Sequence, residues 1–437
     1  MSKENLSPAW AVAFDIAIDH GEGSYLYDTA GKRYLDFTSG IGVTNTGHAH
    51  PRIVKAIQDQ AAKLIHGQIG VGKAQCVLDL TDELMTILPK QLDMFHFGNS
   101  GAEAVEAAVK LAKQVTGRTN IIAFEGSFHG RTHMTMAMTK SKTSYSIKYQ
   151  PLPSGVFSNP YAHCYHCPIA KRTMSDQARA ELSASCPDDG GACCGWPLEQ
   201  LHFLLKTQSA PSETAAIVVE PLLGEGGYVA PPASFLRGLR EICDHYGILL
   251  VFDEIQTGFG RTGKWFAMEH YDVLPDVVIM AKGLASGMPI SGIAANHKVM
   301  GSWSPGSHGG TYAPNVVCAA AGVETIRVMR DEKIVENAAA RGAQLRKGLL
   351  DLKKEFGQIG DVRGLGCMVG TEFVKPDGSP DAATMNKVNQ YCTEHNLLML
   401  TCGSYSNVIR WIPPLVVTEQ QIDESLKIFA AALDSVA

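Results

Sequence analysis

No long lysine and arginine block runs through this chain: 38 basic residues stand against 44 acidic ones, for a formal net charge of -6 and a pI near 6.2. Nucleic acid binding draws most of its affinity from phosphate neutralisation, so a nucleic acid partner is not expected. No stretch approaches the roughly 20 consecutive apolar residues of a membrane helix. The opening MSKENLSPAWAVAF has neither the basic region nor the apolar core of a secretory leader. A membrane partner is likewise not expected, and the cytoplasm is the expected location. Internal repeats and low-complexity linkers are missing too.

An even cysteine framework is also lacking. Eleven cysteines is an odd number. Cys76, Cys243, Cys318, Cys367, Cys392 and Cys402 are scattered through helical and strand patterns, where cysteine acts as a small buried hydrophobe in a reducing compartment. The other five, Cys164, Cys167, Cys186, Cys193 and Cys194, gather in YAHCYHCPIAKRTMSDQARAELSASCPDDGGACCGW beside His163 and His166. A Cys-x-x-Cys followed by a second pair can hold zinc, but here the second pair is adjacent rather than spaced by two. The reading adopted is a locally packed loop with no metal; zinc and redox pairing stay open as alternatives.

Against these absences stands a chain of 437 residues with 45% hydrophobic content, enough for a large core and roughly two to three domains. SYLYDTAGKRYLDF reads as two short strands around a Gly-containing turn, and SGIGVTNTGHAHP leads to a helix after Pro51. From about residue 56 to 325 apolar strands alternate with helical patterns, as in FHFGNSGAEAVEAAVKLAKQVTG and then NIIAFEG. Such alternation predicts a mostly parallel sheet covered by helices, an α/β fold. Beyond it come a long helix (EKIVENAAARGAQLRKGLLDLKKEF), strands near GLGCMVGTEFV and NVIRWIPPL, and a closing helix at EQQIDESLKIFAAAL. The expected division is a large domain at 56–325 and a small domain at 326–437, with residues 1–55 packing against the latter.

Three apolar runs in the large domain each end on one charge: AAIVVE at Glu220, ILLVFD at Asp253 and DVVIMAK at Lys282. Such runs read as parallel strands buried on both faces, and ligands bind beyond the carboxyl ends of those strands. One strand-end charge alone is as well explained by solvent; three together face a site. A lysine and an aspartate on successive strand ends meet the needs of pyridoxal phosphate, which takes a lysine amine as Schiff base and an acidic partner for its pyridinium nitrogen. NSGAEAVEAAVKLAK places Asn99, Ser100, Gly101 and Ala102 before a helix, where free N–H groups and small side chains admit phosphate. Alone, that pattern is more often an N-cap.

With the blocks NTGHAHP, NSGAEAVEAAVKLA, FHGRT, EPLLGEGG, ILLVFDEIQTGFGRTG, MAKGLASGMP, GGTYAPN, IGDVRGLG and NVIRWIPPL in order, nearly the whole chain resembles the class III aminotransferases of the fold type I pyridoxal phosphate enzymes. It is most similar to their 4-aminobutyrate branch. The resemblance implies a large domain on a mostly parallel sheet and a smaller α+β domain. It implies that Lys282 holds the cofactor, that Asp253 pairs with its ring nitrogen, and that Phe128 stacks on the ring beside His129. Gln256 is implied near the ring hydroxyl. Ser100, Gly101 and Ala102 are implied at the phosphate, with Thr311 reaching across from a second subunit of a homodimer.

The same resemblance places Ile41, Arg131, Glu220, Glu225 and Arg410 with the substrates, an amine donor and a keto-acid acceptor. In that branch one arginine, here Arg131, holds a distal carboxylate, while Glu225 masks Arg410 until a keto acid with its own carboxylate displaces it. Glu220 is read as orienting the site rather than reacting. Two departures from the branch are Ala102, where a serine is common, and Phe128, where some relatives carry tyrosine. An iron–sulfur cluster is not carried over, because the cysteine-rich stretch lies elsewhere than in the animal enzymes. The expected reaction is transfer from an ω-amino acid, 4-aminobutyrate first, to 2-oxoglutarate. The alternatives are an amine:pyruvate transaminase and an amino-acid racemase or epimerase.

Overall fold

The computed structural model describes residues 5–188, 190 and 193–436. At its centre is a seven-stranded sheet: β1 (Met94–Gly98), β2 (Asn120–Phe124), β3 (Val156–Asn159), β4 (Thr214–Val219), β5 (Leu249–Asp253), β6 (Val277–Met280) and β7 (Ser291–Ala295). The strands lie in the order β1-β7-β6-β5-β4-β2-β3. From β6 across to β3 every pairing is parallel, whereas β7 runs antiparallel to both of its neighbours.

A mostly parallel sheet must be covered on both faces. Ile122, Phe124, Ile217, Val219, Leu250 and Phe252 point into one core; Ile121, Ala123, Ala216, Val218 and Val251 point into the other. Because both faces are dry, the strands read as unbroken apolar runs instead of alternating ones. Fully burying one such Val, Leu, Ile or Phe is worth roughly 1.5–3 kcal/mol, so this sheet is a stiff platform for whatever stands at its edge.

The helix after β1, α1 (Gly101–Thr116), covers the second face with Ala104, Val105, Ala108, Leu111 and Ala112. Its start is fixed from both directions. Ser100 Oγ accepts the Glu103 N–H at 3.3 Å, and the Glu103 carboxylate reaches back to the Asn99 N–H at 2.7 Å. Gly117, in the left-handed conformation, ends the helix.

Two smaller sheets flank the large one. Strands Ile18–Glu22, Tyr25–Asp28 and Arg33–Asp36 form an antiparallel meander, joined in parallel by Leu397–Leu398. Ile359–Leu365, Met368–Phe373, Val408–Trp411 and Leu400–Cys402 form an antiparallel sheet. The first strands of the chain therefore pair with a segment near its end. Helices at Pro51–Lys63, Ile334–Glu355 and Glu419–Asp434 stand where the sequence periodicity puts them. Helix Ile334–Glu355 approaches the turn at Gly366 so closely that a Cβ on Gly342 would lie 2.2 Å from the Gly366 carbonyl. Among the described residues no helix is long and apolar enough to cross a membrane.

Candidate active site

The carboxyl ends of β4, β5 and β6 open into one cavity of about 520 Å3. Glu220 follows β4 directly, Asp253 closes β5, and Lys282 stands just beyond β6; all three line the cavity. The start of α1 contributes Ser100, Gly101 and Ala102, and the loop after β2 contributes Phe128, His129 and Arg131. Ile41, Tyr145, Glu225, Gln256 and Arg410 also line the wall. Thr311 is not gathered there; it is exposed, outside the cavity of its own chain.

Beneath the cavity lies a buried charge system. His129 Nδ1 sits 2.7 Å from Asp253 Oδ2, and Asp253 Oδ1 accepts the Ile255 N–H at 3.1 Å. Burial disfavours charge on His129, but the Asp253 hydrogen bond and the nearby Glu220 carboxylate outweigh it and raise its pKa above the usual histidine value. Both Glu220 oxygens accept backbone N–H groups at 2.8 Å, from Phe128 and from Gly224. Burial pushes this carboxyl up to about 7, with Asp253 adding to the rise and His129 opposing it. Glu220, expected with the substrates as an orienting group, lines the cavity and ties the loop that carries Arg131 to the loop that carries Glu225.

Lys282 has a positive φ of 43°, an uncommon backbone conformation for a residue other than glycine, and it lines the cavity. Burial, helped by the Arg410 charge, pushes its amine down to about 8, against the pull of Asp253, Glu220 and Glu225. Ile41, at φ 69°, is a β-branched residue in the left-handed region, the kind of strain that persists only where surrounding structure enforces it.

Across the cavity, Arg410 donates to Glu225 Oε2 at 3.0 Å. The other Glu225 oxygen accepts the Tyr145 hydroxyl at 2.9 Å and lies 3.4 Å from Lys142 Nζ. Against the burial that penalises its charge, Glu225 raises the pKa of Arg410 above the usual arginine value. Tyr145 meets Phe128 edge to face at 5.2 Å, and the Arg131 guanidinium lies 4.7 Å from the Tyr145 ring centre. Sequence reasoning did not find Tyr145 or Lys142. They come from the irregular stretch KSKTSYS, which has neither periodicity nor an apolar run to announce a site.

Residues 6–433 match the family described as aminotransferase class-III. The chain belongs to that family. This class III aminotransferase is 37% identical to the 4-aminobutyrate aminotransferase of Escherichia coli, over 96% of the chain and 93% of the relative. It is 36% identical to a 5-aminovalerate aminotransferase of Pseudomonas aeruginosa, with 97% and 94% covered. A solved amine transaminase from an uncultivated Pseudomonas species, in its pyridoxal-phosphate-bound form, superposes with a TM-score of 0.89 at 26% identity over 100% of both chains.

Pyridoxal phosphate is the cofactor of this family, and the cavity fits it. The Gln256 Oε1 and His129 Nε2 atoms are buried with no protein partner, the state of groups shaped for a polar guest. The first-turn N–H groups of α1 have no acceptor within the helix. A Cβ on Gly101 would already stand 3.0 Å from Ile255 Cδ1, so a larger side chain would fill the cradle that phosphate needs.

Proposed function

We propose that this aminotransferase moves the amino group of an ω-amino acid, 4-aminobutyrate first among donors, to 2-oxoglutarate, and that it works as a homodimer. The observation that carries the reading is the Glu225–Arg410 pair at 3.0 Å on the cavity wall, apart from a second arginine, Arg131, that no carboxylate holds among the salt bridges of the described residues. An ω-amino acid has no carboxylate beside its reacting carbon. Arg410 therefore needs an internal partner while that donor is bound, because an unpaired buried guanidinium is costly. 2-Oxoglutarate brings its own carboxylate there and would take the place of Glu225, while Arg131 would hold the distal carboxylate of either substrate.

Pyridoxal phosphate supplies the carbonyl that takes up the amine and the electron sink for the carbanion at the substrate carbon. Lys282 would hold the cofactor and, once displaced, carry a proton at its Nζ; an amine near pKa 8 both accepts and releases one close to neutral pH. Asp253, backed by His129, would pair with the ring nitrogen. Phe128 would lie against the ring, Gln256 would meet the ring hydroxyl, and Ser100, Gly101 and Ala102 would take the phosphate. Thr311, exposed on its own chain, would complete the phosphate site of a second copy.

The test adds 4-aminobutyrate alone to the cofactor-loaded enzyme and follows the cofactor band near about 420 nm. The expected result is loss of the band and its return with 2-oxoglutarate but not with pyruvate. Return with pyruvate would assign a broader amine transaminase. Inversion of one amino-acid enantiomer without any acceptor would assign a racemase.

A further inference from the structure

The cysteine-rich stretch, unused by the proposed reaction, walls a second cavity of about 820 Å3. His163 and His166 line it, and Glu372, from strand Met368–Phe373, stands buried beside them. One ligand atom from each of these three side chains lies within 4.8 Å of the other two. The two imidazoles meet edge to face at 4.7 Å, and His166 Nε2 is 2.6 Å from Glu372 Oε1. The second Glu372 oxygen is occupied by Arg363 at 2.7 Å, which also holds Asp361 at 2.8 Å. That ion network accounts for Glu372 and His166. It leaves His163 unexplained, because its Nε2 is buried with no hydrogen-bond partner, an arrangement that wants a guest.

We infer that His163, His166 and Glu372 bind a divalent zinc ion, with the fourth coordination position open to the cavity. Two imidazoles and one carboxylate form a donor set suited to zinc, and an open fourth position admits water. Donors at roughly 2.0–2.2 Å from a tetrahedral centre lie about 3.3 Å apart. Zinc would therefore take the place of the hydrogen between His166 and Glu372, open their contact by about 0.7 Å and draw in the donors that now lie up to 4.8 Å apart; from an imidazolium–carboxylate pair that proton goes to solvent, and from a neutral imidazole it moves to the other ring nitrogen. The sequence reading favours a metal-free loop on the spacing of its cysteine pairs, and Glu372, far away along the chain, did not enter it. In the fold Glu372 pairs in register with Val408, on the strand that carries Arg410. A bound ion would staple the cysteine-rich stretch to the sheet that carries Arg410.

The cofactor-loaded protein, stripped of metal with a chelator, is titrated with zinc sulfate against a chromogenic competitor, and unfolding midpoints are recorded with and without zinc. The expected result is one equivalent bound and a higher midpoint with zinc. Affinity should fall at least about 100-fold in His163→Ala and in His166→Gln. The two variants should keep the metal-free midpoint of the parent; if one does not, the other gives the reading, since they perturb different packing. Cys167→Ser/Cys194→Ser should bind zinc as the parent does. No binding at micromolar zinc, binding that survives both histidine variants, or binding lost in the cysteine variant would overturn the assignment, the last by moving the metal to the thiols.

Discussion

In Glu225→Ala, Arg410 would lose the carboxylate now 3.0 Å from its guanidinium. Both side chains are largely buried, 9% and 13% exposed, so little solvent screening softens the change. A hydrogen bond to a charged group is worth about 1.5–3 kcal/mol; about 2 kcal/mol is the working figure. On the proposed reading a donor with a carboxylate beside its amine, such as glutamate, must break this pair, and 4-aminobutyrate need not. Removing Glu225 abolishes the penalty for glutamate and leaves Arg410 unpaired beside 4-aminobutyrate. The ratio of kcat/KM for glutamate to that for 4-aminobutyrate should therefore rise by about 30-fold, at 1.4 kcal/mol per factor of ten. Single-turnover absorbance of the cofactor with each donor alone measures the two half-reactions separately. A ratio that moves less than about threefold, or two rates that fall together, would refute the masking role.

Tyr145→Phe removes the hydroxyl 2.9 Å from Glu225. It should shift the same ratio in the same direction by roughly fivefold, about 1 kcal/mol, with cofactor affinity unchanged; a loss of cofactor would place Tyr145 in the fold rather than in the selectivity. Lys282, held near about 8, adds to an aldehyde only as the neutral amine. Uptake of pyridoxal phosphate by the stripped protein should rise with pH, run about tenfold slower per unit below 8, and level off above it. A profile still climbing at pH 10 would mark an ordinary lysine. Gly342→Ala drives a Cβ to 2.2 Å from the Gly366 carbonyl, and overpacking of this kind costs about 1–3 kcal/mol or more. The urea midpoint should fall, and an unchanged midpoint would mean that the helix shifts freely.

How much of this was legible in the sequence depends on whether a residue's neighbours follow from local periodicity. Glu220, Asp253 and Lys282 were legible because each closes an unbroken apolar run, and parallel strands deliver their ends to one edge. Ser100, Gly101 and Ala102 were legible from the helix they begin. Family resemblance supplied Ile41, His129, Gln256, Arg131, Glu225 and Arg410, which no local pattern singles out. Tyr145 escaped both routes, since an irregular loop has no period from which a direction can be read. The meeting of His163 and His166 with Glu372 escaped because it joins two segments through the fold alone. The positive φ of Ile41 is contrary to what a β-branched side chain predicts; the side chain is exposed, and the turn is held by its backbone, with the Ile41 N–H donating to the Thr38 carbonyl at 2.8 Å.

The cavity's far wall, Ile41 and Arg410, belongs to the first and last parts of the chain, so the site exists only while these stay fixed to the sheet. Arg261 does much of that fixing. It is fully buried and has no carboxylate in salt-bridge range among the described residues. Its guanidinium donates to the Pro413 carbonyl at 2.5 Å, the Cys367 carbonyl at 3.2 Å and Asn45 Oδ1 at 2.7 Å. Burial pushes it down to about 10, still charged at neutral pH, so neutral dipoles must stand in for the water it has lost. Each segment that drifted away would leave that charge less solvated, which turns an unfavourable burial into a clamp. Asn45 passes the constraint on: its amide donates to the Phe259 carbonyl at 2.6 Å, and a Cβ on Gly283 would stand 2.3 Å from Asn45 Nδ2. Any side chain at position 283 would push Asn45 off Arg261 or displace Lys282, its chain neighbour. The glycine after the lysine is therefore required by the clamp, its own φ not being positive.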